Sequence, residues 1–254
     1  MSISEKQSDQ LKKGIKPRFL ATGIGSMPYT DIEHAVDTAL TLMPEAPIWP
    51  QLPNLDFNEQ MNPQYSEGMP MLVTDRDENR IFFDASKDYS VPFAEFYEKY
   101  LLAADPDCGT GDCSAMAISR EYSRGIYAME ENLSSMNEKL PFVKVHTTGP
   151  CSFSLTVNDH EKKPIYHRKD FLEMIVKALA MKCRWQIQKF RPFAENVICF
   201  LDEPVLTGYG TSGYVSLMKE DIVSLLSEAA EAVHSDGDFA GVHCCGNTDW
   251  SMLV

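Results

Sequence analysis

From residue 140 onward two hydrophobic patterns alternate along the chain. Phe142-Val-Lys-Val145, Val197-Ile-Cys-Phe-Leu201 and Phe239-Ala-Gly-Val242 are short apolar runs that predict buried strands. Between them, apolar residues recur three and four apart. Residues 168–190 put Leu172, Ile175, Val176, Leu179 and Cys183 on one helical face. Residues 219–234 do the same with Ile222, Leu225, Leu226, Ala229 and Val233. Strands alternating with helices predict a parallel sheet.

The first half is less regular. Phe19 to Gly25 reads as a short strand ending in a glycine turn. Thr30-x-x-Glu33 reads as a capping box opening a helix with Ile32, Val36, Ala39 and Leu40 on one face. Residues 46–53, rich in proline, predict at most a brief strand. Residues 54–140 read as an elaboration on the core: a hairpin at 71–73 and 80–83, a helix over 92–102 with Pro92 near its first turn, and a helix over 114–133 weakened by Gly125. Residues 1–18 read as a flexible, solvated arm, and 19–254 as one domain. The strand units fall near 20, 48, 143, 198 and 240. A closed (β/α) barrel uses about eight, so the pattern leaves an open sheet or a barrel cut short.

Composition narrows the partners. Lys plus Arg is 23 and Asp plus Glu is 37, giving a net charge of −14. Such a surface repels nucleic acid and anionic membranes. No apolar run reaches the ~20 residues of a spanning helix, and the polar N-terminus has no secretory core. A cytoplasmic protein is the expectation. The cysteine count, 7, is odd and fits reduced thiols. Cys151, Cys183 and Cys199 sit among apolar neighbours and read as buried. Cys108 and Cys113 flank a Gly/Asp loop, read as a plain loop before a second metal site.

Four segments carry chemistry. His243-x-Cys245, at a strand end, puts a nitrogen and a sulfur ligand for zinc on one face, with Cys244 turned away. The competing reading is a buried core pair. Asp202 and Glu203 follow an apolar strand and offer an acid, a base or an ammonium partner, or else a helix cap. Gly23-Ile24-Gly25-Ser26 offers backbone N–H groups and a hydroxyl to a carboxylate or phosphate, or is a simple turn. Trp49 and Tyr65 suit a pocket wall or a core. His146 is a proton donor or a satisfied core histidine.

Taken in order, Ile24-Gly-Ser-Met-Pro28, Thr148-Gly-Pro150, Leu201-Asp-Glu-Pro204 and His243-Cys-Cys-Gly-Asn-Thr248 resemble segments of the superfamily of cobalamin-independent methionine synthase and uroporphyrinogen decarboxylase. The resemblance spans roughly residues 19–250. It implies a TIM (β/α)8-type barrel, here ending after about five strands with the C-terminal strands missing. It implies a zinc-dependent transfer of a methyl group to a homocysteine-like thiol. His243 and Cys245 would be zinc ligands. Ile24, Gly25, Ser26 and Trp49 would bind substrate. Asp202 would hold its ammonium group and act with Glu203 in catalysis. The family's further ligands, a glutamate and a distant downstream cysteine, have no counterpart here. The shortness of the chain implies the core-type enzymes, with a methylated corrinoid protein or a folate as donor. Exposed sheet edges would favour a homodimer. The alternatives are a non-catalytic scaffold that binds a small thiol or a tetrapyrrole or corrinoid, and a decarboxylase-like lyase.

Overall fold

The computed structural model describes residues 19–104, 111–214 and 217–253. The expected N-terminal arm and Cys108 lie outside them. Its helices are α1 (Ile32–Leu42), α2 (Met61–Ser66), α3 (Ser90–Ala104), α4 (Arg124–Ser134), α5 (Pro150–Thr156), α6 (Lys169–Phe190) and α7 (Lys219–Ser235). Its strands are β1 (Leu72–Asp75), β2 (Arg80–Phe83), β3 (Leu140–Thr148), β4 (Asn158–Asp159), β5 (Ala194–Asp202) and β6 (Phe239–His243).

Among the described residues two three-stranded sheets form. One is mixed, in the order β1-β2-β4, and one is parallel, in the order β3-β5-β6. The expected TIM (β/α)8-type barrel is therefore corrected: among the described residues no barrel is closed. The reason lies in the first two strand units. Residues 19–25 form no strand, and the segment makes one parallel bridge, Ser26 to Gln51. Residues 46–53 likewise contribute single bridges, the second joining Ile48 to Lys144. Pro47, Pro50 and Pro53 have no N–H to give a ladder.

The later elements follow their hydrophobic period. α6 packs on β3 and β5, α7 packs on β6, and the two helices lie side by side. Val143, Val145, Val197, Cys199 and Leu201 are the buried apolar layer beneath them. α6 is buried from Met181 to Ile187, more than one amphipathic face accounts for. The elaboration covers its other side: Lys182 Nζ donates to the Met116 carbonyl, Gln188 Oε1 accepts from Cys113 N, and Arg184 Nη1 donates to the Ala103 carbonyl.

Two local expectations change. The N-cap of α1 is Asp31, not Thr30; its carboxylate accepts the His34 N–H at 3.0 Å. The expected helix over 114–133 is a 3₁₀ turn at Ser114–Met116, then α4. Gly125 opens α4 where the backbone passes Pro50 so closely that a Cβ would lie 1.8 Å from its carbonyl oxygen. No helix among the described residues is long and apolar enough to cross a membrane.

Candidate functional site

Residues paired across a parallel ladder point to the same face. Thr148 pairs with Asp202 and Asp202 with His243, so these three form one row at the C-terminal ends of β3, β5 and β6. Lys144, His146 and Thr148 alternate along β3 on the face away from α6, with Phe200 and Asp202 beside them on β5. The row is held by the backbone: Gly149 N–H donates to the Asp202 carbonyl and Glu203 N–H to the His243 carbonyl, both at 2.7 Å.

Asp202 and Glu203 divide sharply. Glu203 is fully buried and accepts the N–H groups of Cys151 at 2.9 Å and Ser152 at 2.7 Å. It ties the end of β5 to the start of α5. Gly149 makes room for it: a Cβ there would lie 2.2 Å from Glu203 Cδ. Burial pushes its carboxyl up to about 7, against the pull of those N–H groups. Asp202 is half-buried, and its Oδ1 has no hydrogen-bond partner among the described residues. Burial pushes Asp202 up to about 7 as well; the Lys144 ammonium pulls it down, and the neighbouring Glu203 pushes it up. Asp202 is thus the acid with a free oxygen.

The Gly23–Ser26 turn lies two segments away from β3, through the bridges at Gln51 and Ile48. Ile24 and Ser26 are exposed. Gly25 has φ +145°, and a Cβ on it would sit 2.3 Å from His146 Cε1, so only glycine fits. His146 is 1% exposed, and both ring nitrogens lack partners among the described residues. Burial drives its pKa well below the usual histidine value, with a further push from Lys144. Trp49 stacks on that imidazole, centroids 4.0 Å apart and planes 15° apart, and its Nε1 donates to Gln186 Oε1 at 2.9 Å. Tyr65 donates its hydroxyl to the His146 carbonyl at 2.9 Å. Trp49 and Tyr65 are both fully buried, so they support the turn from below and present no open wall.

His243 Nε2 and Cys245 Sγ stand 3.3 Å apart, and Cys245 is exposed while Cys244 is buried. Two ligands of a tetrahedral zinc stand roughly 3.5 Å apart, given bonds of about 2.0 Å to nitrogen and 2.3 Å to sulfur. Donor type and spacing therefore fit two corners of a zinc site. No group of three or more His, Cys, Asp or Glu residues suited to a metal exists among the described residues, and catalytic zinc takes about three protein ligands. Of the other cysteine pair, Cys113 is buried with its thiol pushed up to about 11, chiefly by burial.

The site residues named from sequence divide into a group at the strand ends, Asp202 and His243 in the row with Cys245 beside them, and a supported turn, Ile24, Gly25 and Ser26. Sequence reasoning gives Lys144 no role, and Thr148 none beyond its place in the Thr148-Gly-Pro150 segment. Lys144 had a legible signal, a lone cation inside the apolar run Phe142-Val-Lys-Val145. No protein-family profile matches the chain, and no curated protein matches it.

Proposed function

We propose that the chain carries a methyltransferase site for an amino-acid thiol such as homocysteine. The observation that supports this most is the row of Thr148, Asp202 and His243, with Cys245 beside it. It brings an acid with a free oxygen to the same sheet edge as a nitrogen–sulfur pair. In this reading Asp202 binds the ammonium group of the acceptor, and the Ile24–Ser26 turn takes its carboxylate. Glu203 is a positioning residue that holds the end of β5 against α5. His243 and Cys245 would hold zinc, which when bound supplies the positive charge that keeps a thiol deprotonated near neutral pH. The methyl donor is a methylated corrinoid or a folate. A second reading, a site that binds an amino-acid thiol without transferring methyl, is favoured by the pair of metal donors, with no third beside them among the described residues.

The test uses the full chain. Co²⁺ and Zn²⁺ are titrated with and without L-homocysteine, and methyl transfer from methylcobalamin and from methyl-tetrahydrofolate is then assayed. A thiolate-to-cobalt absorption that disappears in Cys245→Ser is expected. Asp202→Asn is expected to weaken homocysteine binding by about 1–3 kcal/mol, the loss of a charge-assisted partner. Failure of the metal-loaded chain to bind homocysteine sinks both readings. Binding without transfer from either donor leaves the second.

A further inference from the structure

Lys144 is 2% exposed, yet it is a cation in the middle of β3. A buried ammonium needs partners to offset its lost hydration. Its partners come from the far end of the chain. Nζ donates to the Gly23 carbonyl at 2.6 Å and to the Ile24 carbonyl at 3.0 Å, and lies 4.3 Å from the centre of the Phe200 ring. To do this it reaches past the segment at Ile48, its own neighbour in the sheet.

The consequence follows from peptide geometry. No peptide among the described residues is cis, so each N–H points opposite to the carbonyl before it. Holding the carbonyls of Gly23 and Ile24 against Lys144 turns the N–H groups of Ile24 and Gly25 away from it. The Gly25 carbonyl is held independently by Gln51 N–H at 3.0 Å, which likewise turns the Ser26 N–H away from Gln51. Three successive N–H groups are thereby oriented by partners on the carbonyl side. Two residues further along β3, His146 supports Gly25, with Trp49 behind it.

We propose that Lys144 is the positioning residue of the turn: it sets the N–H groups of Ile24 and Gly25 to receive the carboxylate of an amino-acid ligand. This rests on the functional reading above and adds to it the part of the ligand that Lys144 controls. Lys144 touches no ligand. It acts on the carboxylate through the two carbonyls; its charge also acts on Asp202, an effect that carboxylate-bearing and carboxylate-free ligands share.

The experiment compares the wild-type full chain with Lys144→Met, which keeps the length and loses the charge and donors, and Lys144→Gln, which keeps a donor. Two probes are titrated by calorimetry: L-homocysteine, and 3-aminopropane-1-thiol, the same molecule without its carboxylate. Hydrogen–deuterium exchange is read in parallel on peptides covering 19–27 and 46–53, without any ligand. Lys144→Met is expected to lose about tenfold in homocysteine affinity, the scale of one net hydrogen bond to a charged group. Affinity for the aminothiol falls less, by the effect of the lost charge on Asp202 alone, and exchange at 19–27 rises while α6 and α7 stay protected. Lys144→Gln falls between, and it replaces Lys144→Met if that variant does not fold. Equal losses for both probes, or unchanged exchange at 19–27, overturn the proposal. If the wild type binds neither probe, the functional reading fails, and the exchange measurement alone decides whether Lys144 sets the turn.

Discussion

The two faces of the β3-β5-β6 sheet are built from alternate residues of the same strands, and they have opposite chemistry. The face under α6 and α7 carries Val143, Val145, Val197, Cys199 and Leu201, none more than 1% exposed. The opposite face carries Lys144, His146, Thr148, Asp202 and His243, the last three in register with one another. On the first face the apolar side chains gain from burial, and Thr147, paired with Leu201, is the polar exception, its hydroxyl buried without a partner among the described residues. On the second, His146, Thr148 and Asp202 each keep a buried polar atom without a partner among the described residues. One face therefore carries the stability of the sheet. The other spends part of it on groups that a ligand can use.

The sharpest way to break this comparison is to empty the helix-packed face. Leu201→Ala is expected to cost about 2–5 kcal/mol in chemical denaturation, the loss of transfer energy plus a cavity. A cost under about 1 kcal/mol would mean that this face is loosely packed and that the contrast fails.

The pH dependence of stability is the next effect in size. Asp202 titrates at about 7 in the folded chain and, unfolded, near the ordinary 3.8. Its contribution is present at low pH and is lost as pH rises through about 7, because over that window the unfolded state has already given up its proton. The slope is up to about 1.4 kcal/mol per pH unit for one proton. His146 works the other way. Its folded pKa is depressed, so stability falls as pH drops below the ordinary histidine value of 6.5, where the unfolded imidazole takes up a proton. Asp202→Asn is expected to lessen the decline in stability between pH 5 and 7, to which Glu59 and Glu203, also raised to about 7, contribute in the same direction, and His146→Leu to flatten the loss on the acid side. Denaturation midpoints across pH read both. An unchanged profile in Asp202→Asn would place its carboxyl in a more solvated setting.

Thr148→Val tests the polar face at a smaller scale. The Thr148 hydroxyl is buried without a partner among the described residues. Replacing it with a methyl group is expected to be neutral or to stabilise by up to about 1 kcal/mol. A destabilisation above that would reveal a partner for the hydroxyl. The smallest expected effect is at the exposed Cys245. Cys245→Ser should leave the midpoint within about 0.5 kcal/mol of wild type, while removing the thiolate signal of bound cobalt.

The helix-packed face was visible in the spacing of Leu172, Ile175, Leu179, Ile222 and Val233 and in the apolar runs of β5 and β6. The first strand unit differs from its expectation: Phe19 to Gly25 has the composition of a strand, but the carbonyls of Gly23, Ile24 and Gly25 go to Lys144 and Gln51 in place of a ladder. Asp202 and Glu203 looked equivalent as adjacent acids. They separate only because strand alternation turns one to the open face and the other onto the backbone of α5.

Local pattern is enough to specify the helices α6 and α7, the strands β3, β5 and β6, and the order of the four polar segments. Each of these rests on a local period or a local turn, which neighbouring residues fully specify. Tertiary structure decided that the sheet does not close among the described residues, and which polar groups find partners. Lys144 and the carbonyl of Gly23 are 121 positions apart. Glu203 and Cys151 N are 52 apart. No local pattern encodes such pairings. They exist because a cation and a carboxylate buried in one folded core must each take the nearest hydrogen-bonding groups that the packing brings.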